Sequence, residues 1–377
     1  MSEVLLICTR CSTWTPASAS IWRCPTCQGP LIWHGGERFQ RSMIDPAFPG
    51  VWRYWRGIPV SPDDAVTLGE PMTPLVPVTI NRSTALAKLD GLLPTGSFKD
   101  RGATQLVSFL KAERVKRIVE DSSGNAAASM AGYAARARIG CEVYAPAAAS
   151  PGKLVQAAAF GAKVTRIEGN RDDVARAAES AAEIPGNAYA THNWHPFFIE
   201  GVKTWAYEVW EQLGFAVPDV VVAPAGSGSV VLGAWRAFSS LYASGEIDAI
   251  PRIFAAQAAA CAPLVTALTH DQEETVPFTR TASLAEGIMI ANPVRGRELL
   301  TALRGSRGGA IAVTEDELTT ALLDLARQGI YVEPTSAVAA AGYRKLITEG
   351  RLSSTARTVL VLTGNGLKAT SAIEELV

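Results

Sequence analysis

The chain has 377 residues, 48% hydrophobic and 19% charged, the profile of a globular protein of two or three domains rather than a disordered or fibrous one. Its 35 Lys and Arg nearly cancel its 36 Asp and Glu, leaving a formal net charge of −1. That balance excludes a general electrostatic pull on nucleic acid or an anionic membrane.

Residues 1–40 read as a separate small unit. Four of the six Cys fall here, as Cys8-x-x-Cys11 and Cys24-x-x-Cys27, the spacing of a zinc ribbon in which each pair gives two thiolates to one tetrahedral ion. A segment this short buries too little apolar surface to fold alone, so a metal would supply the missing free energy. The same four Cys could also stand reduced in a ribbon without metal. Cys141 and Cys261 are isolated in apolar surroundings and read as packing residues. The start of the chain shows no export signal, and a cytoplasmic protein is expected.

From Met43 to about Thr67 the chain is rich in Trp, Pro and Arg and reads as an irregular wrap. Beyond it β-type and helical patterns alternate. Val143–Ala145 and Val164–Ile167 are short β-type runs, while Val220–Ala223 and Val359–Leu362 are continuous apolar runs suited to strands buried on both faces. Ala126–Ala137, Val174–Ala182 and Lys203–Leu213 are helical. The alternation predicts an α/β protein with parallel sheets. The least polar stretch, Ile253–Leu268, is short and broken by Gln257 and Pro263, so no membrane span is expected.

Four segments carry candidate chemistry. Pro94-Thr95-Gly96-Ser97-Phe98-Lys99-Asp100-Arg101-Gly102 opens a helix in which Thr95, Ser97 and Asp100 can cap. Lys99 then sits in the first turn, where the helix dipole opposes the ammonium form and favours a Schiff-base lysine. Asp121-Ser122-Ser123-Gly124-Asn125 follows the apolar Ile118-Val119 and offers hydroxyls, an amide and backbone N–H groups at a helix start. Ala225-Gly226-Ser227-Gly228-Ser229-Val230 lies between a strand and a helix; its small residues would let backbone approach a phosphate. It is neither a Walker loop nor a dinucleotide fingerprint, since no Lys-Ser/Thr follows and GxGxxG is absent. Thr363-Gly364-Asn365-Gly366-Leu367-Lys368 leaves the carboxyl end of a buried strand, where ligands of open α/β sheets bind. Each segment alone has an ordinary reading as a capped helix or a turn.

Taken together and in this order, PTGSFKDRG, SSGNAA, the small-residue loop and TGNGLK resemble the pyridoxal-phosphate enzymes of the tryptophan-synthase β-subunit type. The match is closest to the threonine synthase family. Asn193–Thr204 and Glu333-Pro334-Thr335-Ser336-Ala337 extend the likeness over nearly the whole chain, and the ribbon-like start is similar to archaeal-type members.

The resemblance implies two three-layer α/β lobes with largely parallel sheets plus the small N-terminal unit. It divides the chain as residues 1–40, a large cofactor-binding domain of 41–99 with 205–377, and a small mobile domain of 100–204. It implies Lys99 as the internal aldimine lysine, with Asn125 at the cofactor's 3′-oxygen. Gly226, Ser227, Gly228, Ser229 and the Val230 amide would hold its phosphate, and Thr363 would face the pyridine nitrogen. A neutral hydroxyl there does not force protonation of the ring, which suits chemistry at Cβ and Cγ with Lys99 shuttling protons. The implied reaction converts O-phosphohomoserine and water to threonine and phosphate. Ser122 and Ser123 suit the substrate carboxylate, and Arg101, His195 and Lys203 are candidates for its phosphate. A homodimer with no nucleic-acid partner is implied. The loop carries Ser227 and the later segment His195 where the family commonly has Asn. Both changes bear on anion binding, so a cysteate synthase-like β-replacement enzyme or a serine/threonine dehydratase stands as the alternative.

Overall fold

The computed structural model describes residues 4–149 and 151–377, so residues 1–3 of the 1–40 segment lie outside the described residues. The first nine strands are β1 (Leu5–Cys8), β2 (Trp14–Pro16), β3 (Leu31–His34), β4 (Leu75–Ile80), β5 (Ser83–Leu89), β6 (Arg117–Glu120), β7 (Gly140–Pro146), β8 (Lys163–Ile167) and β9 (Asn187–Tyr189). The remainder are β10 (Val220–Pro224), β11 (Arg252–Ala258), β12 (Gly309–Val313) and β13 (Thr358–Leu362). Helices α1 (Lys99–Ala112), α2 (Asn125–Ala137), α3 (Pro151–Ala159), α4 (Arg171–Ala182), α5 (Pro196–Val202), α6 (Thr204–Gln212) and α7 (Ser229–Ala243) alternate with the middle strands. Helices α8 (Pro263–Thr269), α9 (Gly296–Gly305), α10 (Glu315–Ala326), α11 (Pro334–Thr348) and α12 (Thr370–Glu374) follow. Among the described residues no helix is long and apolar enough to cross a membrane.

The chain divides into two compact units, residues 1–71 with 99–204, and residues 72–98 with 205–377. Residues 41–71, expected with the large domain, belong here to the first unit. The reason is a set of buried polar ties to α1 and α2. Ser108 Oγ accepts from Val66 N–H at 2.8 Å, Thr104 Oγ1 donates to the Val66 carbonyl at 2.7 Å, and the Tyr133 hydroxyl donates to Glu70. The wrap is irregular chain interrupted by 3-10 turns, the longest being Gly50–Gly57.

In the first unit four parallel strands run in the order β8-β7-β6-β9, beside a separate antiparallel sheet β2-β1-β3 built from the N-terminal segment. Gly102 fixes how α1 and α5 pack: a Cβ there would come within 2.5 Å of the Phe198 ring. The Phe198 ring therefore rests directly on the first turn of α1.

The second unit holds a six-stranded sheet in the order β12-β11-β10-β13-β5-β4, parallel except for the edge hairpin β4–β5. Every residue of β10 and β13 is buried, as expected of central parallel strands covered on both faces. A fully buried charge enters this sheet at β5. Lys88 on β5 is fully buried, and its Nζ donates to Glu208 Oε2 at 2.6 Å, to the Thr73 carbonyl at 2.7 Å and to Gln212 Oε1 at 2.9 Å. Cys261 is buried in this unit's core, as the sequence suggests, whereas Cys141 on β7 is only part-buried.

Candidate active site

In the second unit the small-residue loop leaves the carboxyl end of β10 and Thr363 leaves that of β13. The two strands are adjacent and parallel, with Val222 paired to Leu360, so Thr363 lies level with Ala225, one residue before the loop begins. The loop's glycines are demanded by packing. A Cβ on Gly226 would sit 2.7 Å from the Ile288 Cα. Gly228 has φ +79°, and a Cβ on it would meet the Leu299 side chain at 2.3 Å. Gly228 is also the N-cap of α7 and supplies no capping side chain, so the first-turn N–H groups of a 15-residue helix are left to an anion. Ser227 is part-exposed at the turn; Ser229 and Val230 are buried.

Thr363 is 2% exposed. Its hydroxyl pairs with Ser336 Oγ at 3.0 Å, and Ser336 in turn accepts from the Gly364 N–H at 2.7 Å. Ser336 thus orients Thr363, a role the sequence signals only through the Glu333–Ala337 likeness. The segment before α1 is laced to the same strand end: Phe98 N–H donates to the Thr363 carbonyl at 2.8 Å, and Ser97 bridges Gly364. Lys99 is the next residue in the chain.

In the first unit Lys99 opens α1, part-exposed, with Nζ 5.5 Å from the Phe198 ring centre. Asp100 is turned inward to accept from Ser129 Oγ on α2 at 2.6 Å. Asn125 begins α2, which also starts on a glycine, Gly124, without a side-chain cap. Ser122, Ser123 and Asn125 are part-exposed beside those N–H groups. Just before them stand two buried acids at the end of β6. Glu120 Oε1 lies 2.6 Å from His192 Nδ1, and Asp121 Oδ2 lies 2.6 Å from an Arg171 guanidinium nitrogen. Burial pushes the Glu120 carboxyl up to about 8, opposed by the charges of Arg171 and Lys99. Burial likewise holds the His192 imidazole well below its usual value, with the Lys99 charge adding to the effect.

Arg101, His195 and Lys203 are each enclosed by the protein. All three are at most 2% exposed. Arg101 Nη1 donates to Thr204 Oγ1 at 3.3 Å. His195 caps α5 by accepting the Phe197 N–H on Nδ1 and packs against Phe109. Phe109 is eight residues beyond Arg101, roughly 12 Å along α1. Lys203 pairs with Glu200 and lies over the Trp33 ring of the N-terminal sheet.

The four N-terminal Cys converge, with their sulfurs all within 4.8 Å of one another. Cys8 and Cys27 Sγ are 3.4 Å apart, and Cys11 and Cys24 Sγ 3.6 Å, near the roughly 3.8 Å edge of a tetrahedron with zinc–sulfur bonds of about 2.3 Å. Both knuckles repeat one turn. Ser12 and Gln28 each have φ +58° and donate N–H to the carbonyl of Cys8 and Cys24 respectively. The Thr13 hydroxyl brings the Cys11 thiol down to about 6, and the Cys11 sulfur pushes Cys27 up to about 12. A tetrahedral cation at their centre would have all four sulfurs within reach.

An uncapped helix start and a hydroxyl thus stand side by side at the strand ends of an open α/β sheet, and the chain belongs to a cofactor-dependent class of enzymes: the model of the pyridoxal-phosphate dependent enzyme family matches residues 66–364. Among its relatives is the threonine synthase of Methanocaldococcus jannaschii, 37% identical over 327 residues, covering 85% of this chain and 80% of that protein. The threonine synthase of Methanosarcina acetivorans is 33% identical over 373 residues, covering 96% of this chain and 92% of its own. Of solved structures, a threonine deaminase from T.th. is similar with a TM-score of 0.66 at 26% identity, over 78% of this chain and 92% of that one.

Proposed function

We propose that this chain is a threonine synthase-type lyase that converts O-phosphohomoserine and water to threonine and phosphate with pyridoxal 5′-phosphate. The observation that carries the reading is the identity to threonine synthases over 85% to 96% of the chain. When bound, the cofactor supplies an aldehyde for an amine and a ring that accepts electron density from the substrate carbon.

The donor set fits such a group. A dianionic phosphate suits the uncapped start of α7, with Gly226, Ser227, Gly228, Ser229 and the Val230 amide around it. Thr363, held by Ser336, offers a neutral hydroxyl to a ring nitrogen. Lys99 would be the amine that holds the aldehyde and moves protons, and Asn125 would donate to the ring oxygen. Ser122 and Ser123 suit the substrate carboxylate at the start of α2. For Arg101, His195 and Lys203, the sequence candidates for the substrate phosphate, burial favours a role in positioning α1 and α5 instead. The four thiols fit a structural zinc ion. We further take the protein to be cytoplasmic and a homodimer, the latter checked by size-exclusion chromatography with light scattering.

The deciding experiment offers O-phosphohomoserine, O-phosphoserine, threonine and serine to the cofactor-loaded protein and measures phosphate, ammonia and amino-acid products. Phosphate and threonine in equal amounts from O-phosphohomoserine are expected. Ammonia from threonine without phosphate release would replace this reading with a dehydratase. Borohydride should fix the cofactor to Lys99, seen by peptide mass, and Lys99→Ala should abolish both fixation and turnover.

A further inference from the structure

The buried Glu120–His192 pair has no part in the reading above. Glu120 Oε1 and His192 Nδ1 are 2.6 Å apart; the Glu120 side chain is 0% exposed and the His192 side chain 11%, so what access the pair has is through the imidazole. Glu120 Oε2 is buried without a hydrogen-bond partner among the described residues. The imidazole and the Lys99 amine lie against one ring: His192 is 6.0 Å from the Phe198 centre, edge to face, and Lys99 Nζ 5.5 Å. Of the charged and titratable groups around the pair, Lys99 comes from α1, Asp121 from the end of β6, Cys141 from β7, Arg171 from α4 and Tyr189 from β9. Arg171 is engaged by Asp121 at 2.6 Å, and the Lys99 charge also acts on both members of the pair.

We propose that Glu120 and His192 form a proton store for the Lys99 amine, with His192 exchanging the proton and Glu120 acting as the positioning residue behind it. In the donating direction the Glu120 O–H bond breaks as an Nδ1–H bond forms. The Nε2–H bond breaks as the Lys99 nitrogen lone pair takes that proton. The carboxylate is left facing an imidazole in its other tautomer, and the reverse transfers restore the start. The buried carboxyl that is still protonated near neutrality is consistent with a store that begins full. The inference rests on Lys99 being the cofactor lysine, and it gives that residue a partner on its own unit.

Two measurements test it. In the cofactor-free protein, the pH dependence of Lys99 acetylation by acetic anhydride, followed by peptide mass, reports the amine directly. Glu120→Gln, which keeps the shape, should lower the labelling midpoint by about one pH unit because a nearby ionising carboxyl is gone. In the loaded protein, exchange of the substrate α-hydrogen with deuterated water should fall about a hundredfold in His192→Gln with KM nearly unchanged. An unmoved midpoint, or an unchanged exchange rate, overturns the proposal. Failure of the underlying reading looks different: borohydride would fix no cofactor at Lys99, while the labelling comparison would still report on the pair.

Discussion

Glu120 illustrates how one side chain couples stability to pH. Unfolded, Glu120 titrates near 4.5 and His192 near 6.5, whereas folding raises the first to about 8 and depresses the second. Between 4.5 and 6.5 the raised carboxyl and the depressed imidazole act in opposite senses, so their slopes oppose each other. From there to about 8 the folded pair holds one proton more, and stability falls as pH rises. Below 4.5 the carboxyl is protonated both folded and unfolded, and the slope that remains comes from the depressed imidazole, which makes stability fall as pH drops. Urea unfolding at about pH 6 and about pH 8.5 should therefore show the parent losing about 2 kcal/mol more than Glu120→Gln. Equal losses would show that Glu120 is already ionised in the folded chain. The loop glycines make a second residue-level prediction. Gly228→Ala forces a side chain onto φ +79°, costing roughly 1–2 kcal/mol, and should weaken equilibrium binding of pyridoxal phosphate as well as lower the melting temperature. Gly226→Ala meets backbone rather than a flexible tip and should weaken that binding further.

At the level of elements, the second unit is braced where β5 meets α6. Lys88 and Glu208 are both 0% exposed, and Thr73, Asp90 and Gln212 complete the network: Thr73 Oγ1 donates to Asp90 Oδ1 at 2.7 Å, and Gln212 Nε2 donates to the Thr73 carbonyl at 2.8 Å. Lys88→Met alone strands a buried carboxylate and should cost about 3–5 kcal/mol in urea unfolding. Adding Glu208→Leu should recover much of that loss, since desolvation of the second charge is then avoided. A double variant no more stable than the single one would mean the pair attracts more strongly than its desolvation costs. Because β5 adjoins β13, loss of this brace should also disturb the strand end that carries Thr363.

Over the whole molecule, the N-terminal segment is packed onto the end of β9 and the chain that follows it. Trp22 stands edge-on to Tyr189 and Trp194 at 4.9 and 5.5 Å, and Trp33 lies under Lys203. Metal at the four Cys would therefore stiffen residues 189–203 as well as the ribbon. Atomic emission should find one zinc per chain. Chelation, or Cys24→Ser, should lower the melting temperature and change Trp emission together. A metal-free protein with unchanged melting would show that packing alone holds the ribbon.

Much of this is legible in the sequence because it depends on neighbours along the chain. Continuous apolar runs mark the central strands β10 and β13, paired CxxC motifs mark the knuckles, and glycine at a strand-to-helix turn marks the start of α7. The family likeness rests on the same local segments. Other features are settled only by folding. Ser336 orienting Thr363, Lys88 meeting Glu208 and Glu120 meeting His192 join residues 27, 120 and 72 positions apart, and no local pattern encodes which distant partner a polar side chain will find. Arg101, His195 and Lys203 look available to an anion in the sequence for the same reason. Local sequence shows a charge, but only tertiary packing decides whether that charge faces solvent or is enclosed and already engaged.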